Sequence, residues 1–292
     1  MKTHTCTTLV DNTQGLMFTE SPRWHGGKLW FLDNFQQRIK TLDMQGNVEV
    51  AVQLPFTPNG WGHKSDGSLL IGDAFKRTMH RWDGKNLELV ADLSSMLNFC
   101  FSDAVVDAKD RMYIGDIGFN VLDHTAKPVN TCRLVCVNPD GSARIVAEGL
   151  TFPNGIVISP DGKTLIVAET YAPCLTAFDV AEDGSLSSRR VFAPLASDIH
   201  PDGIALDAEG AVWIANPQNS QAHATVLRIR EGGEILEAVE LNSFACAVML
   251  GGPERRHLFI SAQDSLNPKV LSDSPSATIR VVEVAVPGVG LP

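Results

Sequence analysis

Six positions in the chain could bring metal chemistry to one place. Glu20, Asn59, Asp103, Asn154 and Asp202 each stand at the head of a short apolar run, and Cys246 stands at the head of a sixth. Carboxylates and side-chain amides offer oxygen lone pairs, and an oxygen-rich cluster without soft ligands suits a hard divalent cation such as calcium, magnesium or manganese. Asn or Asp before Gly is also a common turn residue whose side chain satisfies its own backbone. A lone Asn154-Gly155 would favour that plainer reading. Several such heads related by rotation about one axis, together with the acid Glu20, favour a shared site.

The elements that must position these heads are written most clearly at Phe152-Pro153-Asn154-Gly155-Ile156-Val157-Ile158-Ser159-Pro160-Asp161-Gly162-Lys163-Thr164-Leu165-Ile166-Val167-Ala168-Glu169. Pro160 pre-sets φ, Asp161 can bond its own backbone and Gly162 tolerates positive φ, so two apolar strands meet in a hairpin. The phrase returns from Ile199 to Asn216 with conservative changes, and weaker copies begin near Glu20, Pro58, Ser102 and Ala245. Subtracting the anchor positions Pro22, Pro58, Ser102, Pro153, Pro201 and Ala245 gives spacings of 36 to 51 residues. Such a period, with short strands and room for two more in each gap, predicts an all-β fold: a six-bladed β-propeller with four antiparallel strands per blade. Residues 1–292 read as a single such domain, since two β-sandwiches would show a central linker and no common period. The last blade lacks a fourth strand after Ala277–Val284, and Thr5-Cys6-Thr7-Thr8-Leu9-Val10 would supply it, closing the ring and removing two sheet edges.

In that architecture the first residues of the innermost strands converge at one channel mouth. The second strands end on the same face, one ring outward, at Asp33, Asp73, Asp116, Glu169 and Asn216, either as partners that orient the ligands or as solvated strand ends. Two long insertions, 118–130 and 263–274, should overhang the site and shape its substrate. His63 and His200 also read as lying near the mouth, with a structural role the commoner one for His200.

Composition narrows the function further. Lys plus Arg number 24 against 34 Asp plus Glu, a net charge of −10 that repels phosphate backbones, so nucleic-acid binding is not expected. No apolar run approaches membrane-spanning length, the first residues lack a secretory h-region, and the six cysteines form no Cys-x-x-Cys pair. A soluble protein of the reducing cytoplasm, acting on a small molecule, is the expectation. Gly-x-Ser-x-Gly, His-Glu-x-x-His and phosphate-loop motifs are absent from the sequence.

Through Glu20-Ser21-Pro22-Arg23-Trp24, Phe152-Pro153-Asn154-Gly155-Ile156, His200-Pro201-Asp202-Gly203-Ile204 and Gly251-Gly252-Pro253, almost the whole chain resembles the senescence-marker-protein/gluconolactonase family of regucalcin-like lactonases. The resemblance implies one catalytic divalent metal held by residues matching Glu20, Asn154 and Asp202. Sugar-lactone members carry an Arg-x-Asn-Asp segment that contacts substrate; here the matching residues are Cys100, Phe101, Ser102 and Asp103. Without that guanidinium a typical sugar aldonolactone is not the expected substrate, and Phe99, Cys100, Phe101 and Phe119 suggest a less polar pocket. The expected activity is a metal-dependent hydrolase opening a lactone or related ester, with calcium the first candidate cation and manganese, magnesium or zinc its alternatives. Asp202 or Asp103 would act as base, and Asn59, Cys100, Ser102, Asp103 and Phe119 would contact substrate. A lyase, an isomerase or a phosphotriesterase-like hydrolase could use the same metal, and a non-enzymatic binding propeller is the reading from another class.

Overall fold

Each repeat becomes a hairpin through a turn that closes on itself. At the clearest one, Gly162 N–H donates to Ser159 O at 2.8 Å, while Ser159 Oγ and Lys163 N–H donate to Asp161 Oδ1 at 2.6 and 3.1 Å. Gly162 holds φ 69° there, the left-handed backbone that glycine adopts without strain. A computed structural model describes residues 1–121, 123, 125–217, 226–266 and 273–290, and statements below concern those residues.

The chain opens with β1 (Lys2–Thr5) and β2 (Thr7–Val10). The first blade is β3 (Thr19–His25), β4 (Lys28–Asp33), β5 (Arg38–Leu42) and β6 (Val48–Gln53), and the second is β7 (Pro58–His63), β8 (Leu69–Asp73), β9 (Thr78–Trp82) and β10 (Leu87–Asp92). The third comprises β11 (Phe101–Val106), β12 (Met112–Asp116), β13 (Cys132–Val137) and β14 (Ala143–Leu150). In the fourth are β15 (Pro153–Ile158), β16 (Thr164–Glu169), β17 (Cys174–Val180) and β18 (Leu186–Pro194). The fifth is β19 (Ile204–Leu206), β20 (Val212–Ala215), β21 (Val226–Ile229) and β22 (Ile235–Glu240), followed by β23 (Phe244–Gly251), β24 (His257–Gln263) and β25 (Ala277–Glu283). Strand order within the sheets follows chain order, giving six antiparallel blades, and β2 completes the sixth by pairing with β25. The closing segment goes further than expected: it breaks at Cys6, and β1 adds a parallel fifth strand outside β22, where His4 Nε2 meets Glu237 Oε2 at 2.6 Å.

Both faces of every blade are buried against neighbours. Along β16, Ile166 and Ala168 pack toward the fifth blade while Leu165 and Val167 pack toward the third. The seam between last and first blades is filled the same way, by Met249, Phe259 and Ile279 against Leu29, Phe31 and Leu42. This two-sided burial explains apolar runs that do not alternate with polar residues.

The Gly after Asn154, like the one after Asp202, serves closeness more than turning. A Cβ on Gly155 would lie 2.5 Å from Asp202 O and 2.6 Å from Ile204 N, backbone atoms of the adjacent inner strand. Gly162, by contrast, has open space around it. We therefore expect Gly155→Ala to cost upwards of about 3 kcal/mol through overpacking against backbone that cannot rotate away. Gly162→Ala should cost only roughly 1–2 kcal/mol from its left-handed φ. Thermal unfolding of both variants measures the difference, and equal losses would contradict the close-approach role of Gly155.

Candidate metal centre

The polar heads reach the channel through a repeated irregularity. The inner-strand ladder slips between Glu20 and Arg23, Pro58 and Trp61, Phe101 and Ala104, Pro153 and Ile156, and Ala245 and Ala247. A bulge of this kind re-aims a side chain that regular pleating would place between the blades. Around Asp202, bonds from its N–H to Ala215 O at 2.9 Å and from Ala215 N–H to Gly203 O at 3.0 Å make a comparable departure just ahead of β19.

Ligand atoms of Glu20, Asp202 and Cys246 lie within 4.8 Å of one another. Backbones tie these positions together: Gly155 N–H donates to Asp202 O at 3.2 Å, and Gly203 N–H to Cys246 O at 2.8 Å. Each head is also held locally. Ser21 N–H donates to Glu20 Oε2 at 2.9 Å, and Asn154 Nδ2 donates at 3.2 Å to Thr170 Oγ1, which itself donates to Pro201 O at 2.9 Å. Across the channel Asn59 Nδ2 donates to Phe101 O at 2.9 Å. Asp103 Oδ1 accepts Ala104 N–H at 2.8 Å and the Arg23 guanidinium at 2.7 Å.

These groups push one another toward their neutral forms. Burial raises the Glu20 carboxyl well above the carboxylate range, and the charges of Asp202 and Asp103 add to it against the Ser21 N–H and Arg23. Burial, then the charge of Asp103, raises Asp202 to about 8, offset in part by hydrogen bonds from Asn154 and Gly203. The Cys246 thiol is pushed up by burial and by both acids. Acids crowded this way, with an amide beside them and their free oxygens facing a cavity, are the donor set a dication would relieve. Glu20, Asn154 and Asp202 fit that description.

Above them is a cavity of about 280 Å³. Its floor is Glu20, Asn59, Ser102, Asp103, Asn154 and Asp202; its walls are Phe18, Phe35, Phe75, Phe99 and Phe152 with Cys100, Ile117 and Val121. Phe99 and Phe152 hold φ of 57° and 52°, strained backbone for an aromatic residue at the rim. Four of the five expected substrate contacts line this space, and Phe119 does not. Its ring packs behind Phe152 and beside Tyr171, with centroids 6.1 and 5.8 Å away. The insertion that bears Phe119 does reach the cavity through Val121, whereas residues 122 and 124, and 267–272 of the other insertion, lie outside the described residues.

Other expectations need correction. The residues ending the second strands are not solvated; they are buried, and all but Asp73 brace the approach to an inner strand. Asp33 accepts the N–H groups of Met17 and Phe18, Asp116 that of Asn98, Glu169 that of Thr151, and Asn216 that of His200. Each thereby fixes the segment leading into an inner strand of its own blade. Asp73 differs, accepting from Lys76 N–H in the turn that follows it. His63 is not at this mouth: it ends β7 at the opposite end of the channel, stacked on His25 at 4.0 Å, where burial and its cationic neighbours lower its pKa to about 3. His200 is structural, its Nδ1 bonded to Thr170 O at 3.0 Å. Nor is the cluster purely oxygen, because the Cys246 sulfur belongs to it. Arg23 was hidden from pattern reading as one charge within Glu20-Ser21-Pro22-Arg23-Trp24, yet it is only 3% exposed and its guanidinium bonds Asp103 Oδ1 at 2.7 Å.

The family model described as the SMP-30/Gluconolactonase/LRE-like region matches residues 18–264. A 6-deoxy-6-sulfogluconolactonase of Pseudomonas putida is 25% identical over 283 residues, covering 94% of this chain and 93% of the relative. Regucalcin of Danio rerio is 27% identical, covering 76% and 75%. Among solved structures, a calcium-binding regucalcin of Agrobacterium tumefaciens superposes with a TM-score of 0.77 at 20% identity, covering 98% of each chain, a likeness of fold.

Mutual repulsion in the cluster has a measurable cost to the metal-free protein. A carboxyl whose folded pKa is raised loses stability as pH rises above its unfolded value. Glu20→Gln should therefore raise the unfolding temperature of metal-free protein at pH 8 by a few degrees, about 1–2 kcal/mol, and by less at pH 5. A lower temperature at pH 8 would mean that the acids are not in conflict.

Proposed function

The chain belongs to the SMP-30/gluconolactonase/LRE-like family, and from that premise we propose that it is a divalent-metal-dependent hydrolase that opens a lactone, or a related ester, of a neutral and largely apolar small molecule. The observation that carries this reading is the pairing of an acidic, amide-bearing floor with phenylalanine walls around one cavity of about 280 Å³. The lactonase name of the Pseudomonas relative supports ring-ester chemistry. The substrate of that relative carries a sulfonate, and no cationic side chain lines the cavity here among the described residues. Cys100 stands where sugar-lactone members have arginine, so anionic or polyhydroxylated lactones lack a partner.

Glu20, Asn154 and Asp202 would hold the cation, and their oxygen donors make calcium the first candidate, with manganese, magnesium or zinc able to replace it. When bound, such a cation supplies Lewis acidity to a carbonyl and lowers the pKa of water. The remaining work belongs to the chain. Asp103, fixed by the Arg23 guanidinium at 2.7 Å and by Ala104 N–H at 2.8 Å, serves as the acceptor that orients the attacking water. Asp202, as a carboxylate, takes the proton as the water oxygen bonds the carbonyl carbon. The ring C–O bond then breaks and the departing alkoxide receives that proton. Ser102 Oγ is buried without a protein partner, which leaves its hydroxyl for the substrate. The free cysteines and the net charge of −10 support a small-molecule enzyme of a reducing compartment, without a nucleic-acid partner.

The test is to strip the protein with a chelator, restore each of the four cations, and assay aryl, alkyl and sugar lactones. We expect at least one cation to restore hydrolysis, aryl or alkyl lactones to be preferred over aldonolactones by about 10-fold or more in kcat/KM, and Asp202→Asn to lose on the order of 100-fold in kcat. Absence of lactone hydrolysis with every cation would overturn the proposal.

A further inference from the structure

We propose that Cys246 is a fourth ligand of this centre, and that its sulfur turns the cation preference from calcium toward a thiophilic, borderline metal of the zinc class. Asn154, Asp202, Cys246 and Glu20 come from β15, the segment entering β19, β23 and β3, four consecutive positions around the ring. Cys246 thus stands between the two acids. Its sulfur and their oxygens lie within 4.8 Å of one another. Zinc bonds sulfur at about 2.3 Å and carboxylate oxygen at about 2.0–2.2 Å, so a bound pair can be no more than about 4.5 Å apart. Side-chain rotation of a few tenths of an ångström would be enough to close the set.

The surroundings of this thiol differ from those of an ordinary core cysteine. Cys132 and Cys136 sit among apolar side chains between the third and fourth blades, and Cys132 Sγ donates to Ile117 O at 3.4 Å. Cys246 is 1% exposed and faces two carboxylates, with one weak contact of its own, to Phe244 O at 3.8 Å. A thiol offers acids little hydrogen bonding, and an apolar residue would desolvate them without compensation. A cation bonded to all three relieves both problems, the thiol proton passing to solvent as the sulfur–metal bond forms. Gly203 N–H, bonded to Cys246 O at 2.8 Å, holds Cys246 in place beside Asp202 before any metal arrives. Hard cations gain little from sulfur, whereas zinc, cobalt(II) and cadmium gain strongly.

This inference rests on the metal reading of the cluster but not on the lactone. Metal-free wild type, Cys246→Ser and Cys246→Ala are titrated with cobalt(II) in a spectrophotometer and with zinc and calcium in a calorimeter. Wild type should show a thiolate-to-cobalt charge-transfer absorption that both variants lose. Zinc affinity should fall by about 10-fold or more in Cys246→Ser, while calcium affinity stays within about 2-fold. Unchanged unfolding temperature of Cys246→Ser would separate ligand loss from misfolding, and Cys246→Ala gives a second reading if serine perturbs the fold. Cobalt binding without that absorption, or an absorption that survives both substitutions, would overturn the role of Cys246 and leave the lactone reading standing. Failure of wild type to bind any of these three cations, or manganese or magnesium, would overturn the metal reading itself.

Discussion

The closeness of neighbouring inner strands is the constraint on which the rest depends. Where Gly155 faces Asp202 O, and Gly203 faces the backbone of Cys246, there is no room for a Cβ, and the backbones bond directly across the gap between blades. Sheets in a propeller otherwise meet through side chains, as at Ile166 against Ile214. Near the axis, between the fourth and fifth and the fifth and sixth blades, the side-chain layer vanishes and backbone meets backbone. Those contacts set the spacing of Asn154, Asp202 and Cys246, the heads rising from them.

A cluster built this way is expensive in the absence of a cation. Glu20, Asp202 and Asp103 crowd together, and the fold meets part of that repulsion with a single buried guanidinium, Arg23, bonded to Asp103 and to Ala104 O at 2.7 Å each. Removing one member of such a buried pair costs on the order of 3–5 kcal/mol because the survivor is left uncompensated. The position of Arg23 also sorts the acids. Asp103 is paired with it, while Glu20 and Asp202 lie beside Cys246 with no cationic side chain bonded to them among the described residues. Beyond this lies a buried frame of strand-end acids, of which Asp33 and Asp116 are fully shielded from solvent.

Much of the architecture was legible because it is written repeatedly and locally. Pro160-Asp161-Gly162 specifies its hairpin with bonds that span only a few residues, and the period of the phrase specifies the ring. The polar heads were legible as exceptions to that repetition. What could not be read was whatever depends on the bulges and on the third dimension. The slip after Pro58 moves His63 nowhere near the mouth, because β7 carries it the full height of the channel. Phe119 has the right chemistry and the right loop, yet Phe152, turned by its left-handed backbone, takes the place in the wall. Arg23 looked like any charge in a strand until its partner, 80 positions away in sequence, appeared beside it.

Closure of the ring by β2 on β25 has a consequence for the order in which this protein matures. Glu20 and Cys246 stand 226 positions apart in the sequence (246 less 20), yet they meet across the seam filled by Leu29, Phe31, Met249 and Phe259. Contacts of such long sequence separation form late, after the loop entropy of nearly the whole chain has been lost. Neighbouring blades can pack pairwise before that, but Glu20 meets Cys246 only when the last sheet docks on the first. The polar cluster is therefore complete only in the finished ring, so its mutual repulsion is deferred until the packing that must bear it is in place.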